Sequence, residues 1–240
     1  MLKMPTPVFC RYSELTPSAV NVEYQVHTNW TDGQASSAAI LEEAARIGLG
    51  AIAFTEHVRR STDWFDSFAA EIREIAHAYP AMKVFVGSEA KALDEAGTLD
   101  ISPSVQQGSD IVLGVVHRFP DGNGDYLDFN KISAAETAAI EFQLSMGLIK
   151  HAPIDVLGHP GGMYQRRHGA FPAEYFAQMM EASLERGIAI EINSSYLVDT
   201  ATFVELCRQI DPIVSIGSDA HRIDQLGQCR DILRTMGVGR

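Results

Sequence analysis

Several short segments of this chain end in side chains that bind divalent cations. Tyr-Gln-Val-His ends at His27, Phe-Thr-Glu-His at His57, Val-Gly-Ser-Glu at Glu89 and Gly-Val-Val-His at His117. Later, Leu-Gly-His ends at His159, and Gly-Ser-Asp-Ala-His supplies Asp219 and His221. Each lead-in reads as a β-strand, so each of these residues stands at a strand's C-terminal end. Imidazoles and carboxylates without thiolates suit zinc, manganese or iron, and this many imidazoles disfavour calcium or magnesium alone. Five of the eight histidines occupy such places, which random placement would rarely produce. The other three serve as an internal control. His77 lies inside a helical pattern, His151 follows one and His168 falls in an expected loop, so these read as structural or surface residues.

Residues spread so widely along the chain meet only if the elements beneath them converge. Short β-branched runs over 22–26, 51–54, 83–86, 111–116, 155–157, 188–192 and 213–216 alternate with amphipathic stretches. The stretches cover 36–47, 64–78, 134–146, 173–186, 200–209 and 223–235. This alternation predicts βα units around a parallel sheet. In a parallel barrel all strands open their C-terminal ends on one face, where such enzymes carry their chemistry. Residues 92–109, rich in Ser, Gly and Asp, are expected to form a loop, and residues 1–20 an irregular lead. No repeat or Pro/Gly-rich linker divides the 240 residues, so a single domain over 1–240 is expected.

The balance of 31 acidic against 19 basic residues, a net charge of -12, opposes the basic footprint of a nucleic-acid binder and favours a small substrate. Cys10, Cys207 and Cys229 are odd in number and lie in no C-x-x-C pattern. Neither a disulfide framework nor a thiolate site follows, and a reducing compartment is expected. With no signal-type lead and no long apolar run, the reading is a cytoplasmic protein without a membrane span. No Gly-x-Ser-x-Gly elbow, phosphate-binding Gly-Lys loop or dinucleotide fingerprint is present.

In order and spacing the segments resemble the PHP (polymerase and histidinol phosphatase) superfamily, from Val22 to the final helix. The matching pieces are Gln25-Val-His27-Thr-Asn-Trp-Thr-Asp32-Gly33, Thr55-Glu56-His57, Gly87-Ser-Glu89, Val116-His117, Gly158-His159-Pro160 and Ser218-Asp219-Ala-His221. The resemblance implies an α/β fold, a distorted (β/α)7 TIM-like barrel with two or three divalent metal ions (zinc, manganese or iron) at its mouth. It places His27, Glu89 and Asp219 on one metal and Glu89, His117 and His159 on its neighbour, with Glu89 bridging. His57 and His221 serve a third, with Asp32 either assisting or only capping its Asp-Gly turn. Gln25 stands where the family begins its first motif with histidine. As a ligand it offers an amide oxygen in place of an imidazole nitrogen, so the first site is expected to be loose, differently occupied or empty. Glu56 replaces a more usual Asp.

Arginines follow the expected ligands closely: Arg59 and Arg60, Arg118, Arg166 and Arg167, and Arg222. Guanidinium forks match phosphate oxygens, so a phosphorylated substrate is favoured, although at least half of these arginines are expected to pair with acids such as Asp63, Asp66 or Asp224. The candidate catalytic residues are Asp219, His221, Arg118, Arg167 and Arg222. The expected reaction is hydrolysis of a small phosphomonoester by cation-activated water, as in a histidinol phosphatase. The alternatives are phosphodiester or carbon–nitrogen cleavage on the same barrel, and a catalytically impaired metal-binding module of which Gln25 would be the first sign. Glu191 and Asn193 share one side of their strand, and either support the site or touch substrate, or else form a buried polar layer that ties strands together.

Overall fold

The β-branched runs form one continuous sheet in the computed structural model, which describes residues 7–239. Residues 1–6 and 240 lie outside that range, and with them the first part of the irregular lead expected for 1–20. From Pro7 onward the expectation fails in part. Cys10–Arg11 is a short strand, β1, followed by a 3-10 turn over Tyr12–Glu14. Its partner, across an antiparallel edge, is the last strand.

The seven expected strands are all present: β2 (Val22–Val26), β3 (Ala51–Val58), β4 (Lys83–Lys91), β5 (Ile111–Val115), β6 (Val156–Leu157), β7 (Ala189–Asn193) and β8 (Ile213–Gly217). They pair in parallel, each with the next in sequence. β2 and β8 meet at the C-terminal rim, where Val26 bridges Ala220. There His27 N donates to the Ala220 carbonyl at 2.9 Å and Ala220 N to the Gln25 carbonyl at 3.1 Å. The α/β fold is thus the expected distorted barrel. β3 and β4 run beyond the expected 54 and 86 because their register continues through His57↔Glu89 to Val58↔Ala90. His57 and Glu89 therefore sit within strands and inherit the stiffness of a paired ladder.

The helices are α1 (Ser37–Arg46), α2 (Phe65–Ala76), α3 (Pro103–Gly108), α4 (Ala134–His151), α5 (Gly162–His168), α6 (Ala173–Arg186), α7 (Thr200–Ile210) and α8 (Gln228–Thr235). Their starts are written locally. Ser36 and Asp199 cap α1 and α7, and Ser133 with Glu136 forms a capping box on α4. Residues 92–109 are not wholly loop, because Ser102 caps and Pro103 opens α3. His168, expected in a loop, closes α5. The last helix starts later than 223 because Gly227, at φ 75°, breaks the chain between a 3-10 turn and α8.

One continuous core joins sheet and helices, with Phe54, Leu113 and Ile190 from strands and Phe68 and Phe203 from helices fully buried. Each such side chain contributes roughly 2–3 kcal/mol by leaving water. No helix among the described residues is long and apolar enough to cross a membrane.

Candidate metal centre

The register of the strands brings the seven expected donors to one mouth. Glu89, buried at the end of β4, lies at its centre. Its Oε1 is 3.0 Å from His159 Nε2 and 3.4 Å from His117 Nε2. Its Oε2 abuts His57 Nδ1 and lies 3.8 Å from His27 Nε2. On the far side His27 Nε2 is 3.0 Å from Asp219 Oδ1. Three sets of donor atoms are close enough for one ion each: His27 with Glu89 and Asp219, His57 with Glu89 and His117, and His27 with Asp32, His57 and His221. The first set matches the grouping implied by the resemblance. The second takes in His57, while His159 Nε2 stands 3.2 Å from His117 Nε2. Asp32 lies 3.3 Å from His57 and 3.4 Å from His221, so it faces the imidazoles and does more than cap its turn.

Whether these residues suit cations is tested by the groups they leave unpartnered. His27 Nδ1 and Nε2, Glu89 Oε2 and Asp219 Oδ1 are buried with no aligned hydrogen bond, despite their short separations. A protein interior rarely leaves four such atoms together, because each unpaired group costs about 1–3 kcal/mol. Donors that point past one another toward a common space are what cation coordination requires. The electrostatics agree. Burial alone would lower the His57 pKa, yet the Glu89 and Asp32 carboxylates raise it to about 11. Burial likewise opposes ionisation of Glu89, but the His117 and His57 imidazoles hold it well below the usual carboxylate range. Positive charge is favoured in the middle of this cluster.

Two of these donors sit on unusual backbone. His159 and Asp219 have φ of 27° and 48°, and among the described residues the only other non-glycine with positive φ is Asp211. Each such residue costs on the order of 1–3 kcal/mol and persists only where its surroundings impose it. The imposition comes from buried acids. Glu191 Oε2 accepts the His159 backbone N–H at 2.7 Å, and Glu23 accepts those of Ser218 at 2.6 Å and Gly227 at 3.0 Å, on either side of Asp219. Glu56 accepts the Thr28 N–H at 2.7 Å, beside His27. Glu141 on α4 accepts the Met163 and Tyr164 N–H groups at 2.9 and 2.7 Å, capping α5 from another helix.

Gln25 is buried beside the donor cluster and hydrogen-bonded at both ends of its amide. Its Nε2 donates to Glu89 Oε1 at 2.8 Å, and its Oε1 accepts from Asn193 Nδ2 at 2.9 Å. Asn193 also donates to Glu191 at 3.0 Å. The amide oxygen that would have met a cation is already engaged, so the structure uses Gln25 to orient Glu89. The supporting and polar-layer readings of Glu191 and Asn193 are thereby joined, since the buried polar layer is itself what supports the site.

The rim departs from expectation. Arg222 is forked onto Asp224, with two contacts of 2.9 Å, and does not line the mouth. The other arginines that follow expected ligands form no side-chain ion pair among the described residues, so the expected pairing of at least half is not met there. Arg118, Arg166 and Arg167 line a cavity of about 700 Å³ over the donors. Arg166 bonds the Tyr196 hydroxyl and stacks on its ring at 4.4 Å; that ring in turn stacks on His159, with centroids 4.5 Å apart. Tyr196, Glu23 and Glu141 escaped the sequence reading. For Glu23 a signal existed, since with Gln25 and His27 it repeats at period two and so shares their side of the strand; Tyr196 and Glu141 carry none. His77, His151 and His168 are exposed and belong to none of the donor sets.

Parallel strands that deliver this donor set to one rim define a metal-dependent hydrolase of the barrel class. The family model of the PHP domain matches residues 23–195, and the chain belongs to that family. Among curated proteins it is 25% identical over 203 residues to a probable phosphatase of Caldanaerobacter subterraneus subsp. tengcongensis, covering 81% of this chain and 73% of the relative. It is 27% identical over 223 residues to a probable phosphatase of Vibrio parahaemolyticus, covering 86% and 79%. Among solved structures it resembles the histidinol phosphate phosphatase of Lactococcus lactis complexed with zinc, L-histidinol and phosphate. That match has a TM-score of 0.72 at 17% identity, covering 90% of this chain and 91% of that one. The fold is shared, and this chain is a PHP phosphoesterase.

Proposed function

We propose that the chain hydrolyses a small phosphomonoester, with two or three divalent ions (zinc, manganese or iron) held among His27, His57, Glu89, His117, His159, Asp219 and His221. The observation that carries this reading is the set of buried, unpartnered donor atoms on His27, Glu89 and Asp219, which open into a mouth lined by arginines. Bound cations there supply Lewis acidity and bring the pKa of water to about 7.

The chain's own residues do the rest. Arg118, next to His117, and Arg166, fixed by Tyr196, bind the non-bridging phosphoryl oxygens and neutralise charge as the ester bond breaks. Asp32 keeps its carboxylate well below the ordinary range, chiefly through the His57 contact, and so remains an anion that orients the His57 and His221 rings. Gln25 holds Glu89 so that its two oxygens face different donor groups. Arg222, tied to Asp224, has no part in the reaction, and Arg167 is better placed for binding than for the bond-breaking step.

The test is phosphate release from an aryl phosphate beside cleavage of a bis-aryl phosphodiester, with zinc, manganese or iron added and with a chelator. Metal-dependent release from the monoester in clear preference to the diester supports the reading. Preferred diester cleavage, or bound metal without cleavage of any ester, overturns it.

A further inference from the structure

We propose that the substrate carries a second anionic group, a carboxylate or a second phosphoryl, held by Arg167 and Arg59 while the scissile phosphoryl lies over the metal donors. This rests on the phosphomonoesterase reading above. It begins from a contrast among the arginines. Away from the mouth, several exposed arginines take a carboxylate partner: Arg46 with Glu43, Arg208 with Glu205, Arg222 with Asp224 and Arg11 with Asp211. Inside the mouth, Arg59, Arg118, Arg166 and Arg167 have no ion-pair partner among the described residues, although the chain carries 31 acidic residues. Four guanidiniums without a carboxylate partner around one cavity leave their N–H donors open to an anionic ligand.

Four guanidiniums exceed what one phosphoryl group can engage, because each fork binds two oxygens in a plane. They also divide by what holds them. Arg166 is linked to the donor cluster through Tyr196 and His159, and Arg118 directly follows His117. The Arg167 guanidinium instead lies 4.2 Å over the ring of Phe129, which packs on Phe119. A guanidinium stacked by its face keeps its N–H edges free and preoriented. Arg59 follows β3; its backbone N–H donates to Thr62 Oγ1 and its carbonyl accepts from the Thr62 N–H, while its side chain forms no hydrogen bond among the described residues. A cavity of about 700 Å³ leaves room for such a span. The same rim disfavours a substrate whose remote end is an amine.

The experiment uses metal-loaded protein and compares, by calorimetry, butylphosphonate with 4-phosphonobutyrate and propane-1,3-bisphosphonate. These probes match in length, and none can be hydrolysed. Either probe with a second anionic group should bind at least about tenfold more tightly than butylphosphonate, the size of one charge-assisted hydrogen bond. The better of the two identifies the second group as carboxylate or phosphoryl. In Arg167→Gln that advantage should fall to about twofold or less. Equal affinity of all three probes in the wild type, or an advantage undiminished in both Arg167→Gln and Arg59→Gln, overturns the proposal. Because no probe turns over, a failure of the phosphatase reading is seen separately, in the phosphate-release assay.

Discussion

Replacing Glu141 with Gln should change how stability depends on pH. Glu141 is buried beneath the start of α5, and burial raises its pKa from 4.5 to about 7 against the pull of the Met163 and Tyr164 N–H groups. A carboxyl whose folded pKa lies above its unfolded value stabilises the fold fully below the unfolded value. That contribution is lost as pH rises through the folded one. At about 1.4 kcal/mol for each tenfold in proton affinity, the whole effect is about 3 kcal/mol, of which roughly 2–3 kcal/mol falls between pH 5 and 8. Glu141→Gln does not titrate. It also forfeits one backbone hydrogen bond, a fixed penalty of about 1 kcal/mol. Urea unfolding followed by circular dichroism at pH 5 and pH 8 gives the stability difference between wild type and variant. That difference should move by about 2–3 kcal/mol in the variant's favour at the higher pH. Glu23 and Glu191 also titrate in this range, at about 7 and about 8, but they cancel in the comparison. A difference that stays constant from pH 5 to 8 would refute the reasoning.

Gln25→Leu removes the donor to Glu89 without touching a ligand and should weaken metal affinity by roughly ten- to hundredfold, read by competition with a chelator; unchanged affinity would mean that Glu89 needs no such support. At Gly217 an added Cβ would collide with Glu191 Oε1 and meet Gln25 Cβ at 2.9 Å, so Gly217→Ala should destabilise by about 1–3 kcal/mol. Gly50→Ala, whose nearest neighbour is the Asn21 carbonyl at 3.5 Å, should be near neutral, and equal denaturation midpoints for the two variants would contradict the packing argument.

Much of the site was legible because parallel strands convert a sequence pattern into a spatial one. A polar residue after each β-branched run needs only shared strand direction to join its counterparts, and the seven metal-capable residues met as read. Local signals also served well at helix starts, where Ser36 and Ser133 name their own caps. What remained hidden depends on partners far away in sequence. In sequence Gln25 reads as a weakened ligand, and the Asn193 amide that engages its oxygen lies 168 residues on. The left-handed backbone at His159 and Asp219 has no glycine to announce it, because acids on other strands impose it. Arg222 shared its spacing with the other rim arginines, and only its proximity to Asp224 set it apart.

The central claim, that Glu89 organises a cation cluster on which hydrolysis depends, is tested most directly by elemental analysis of wild type and Glu89→Gln, run beside phosphate release from an aryl phosphate. The account predicts at least two divalent ions per chain in the wild type, with metal-dependent release, and loss of both metal and release in Glu89→Gln. A wild type that binds no metal, or a Glu89→Gln variant that keeps its full metal content and activity, would contradict it.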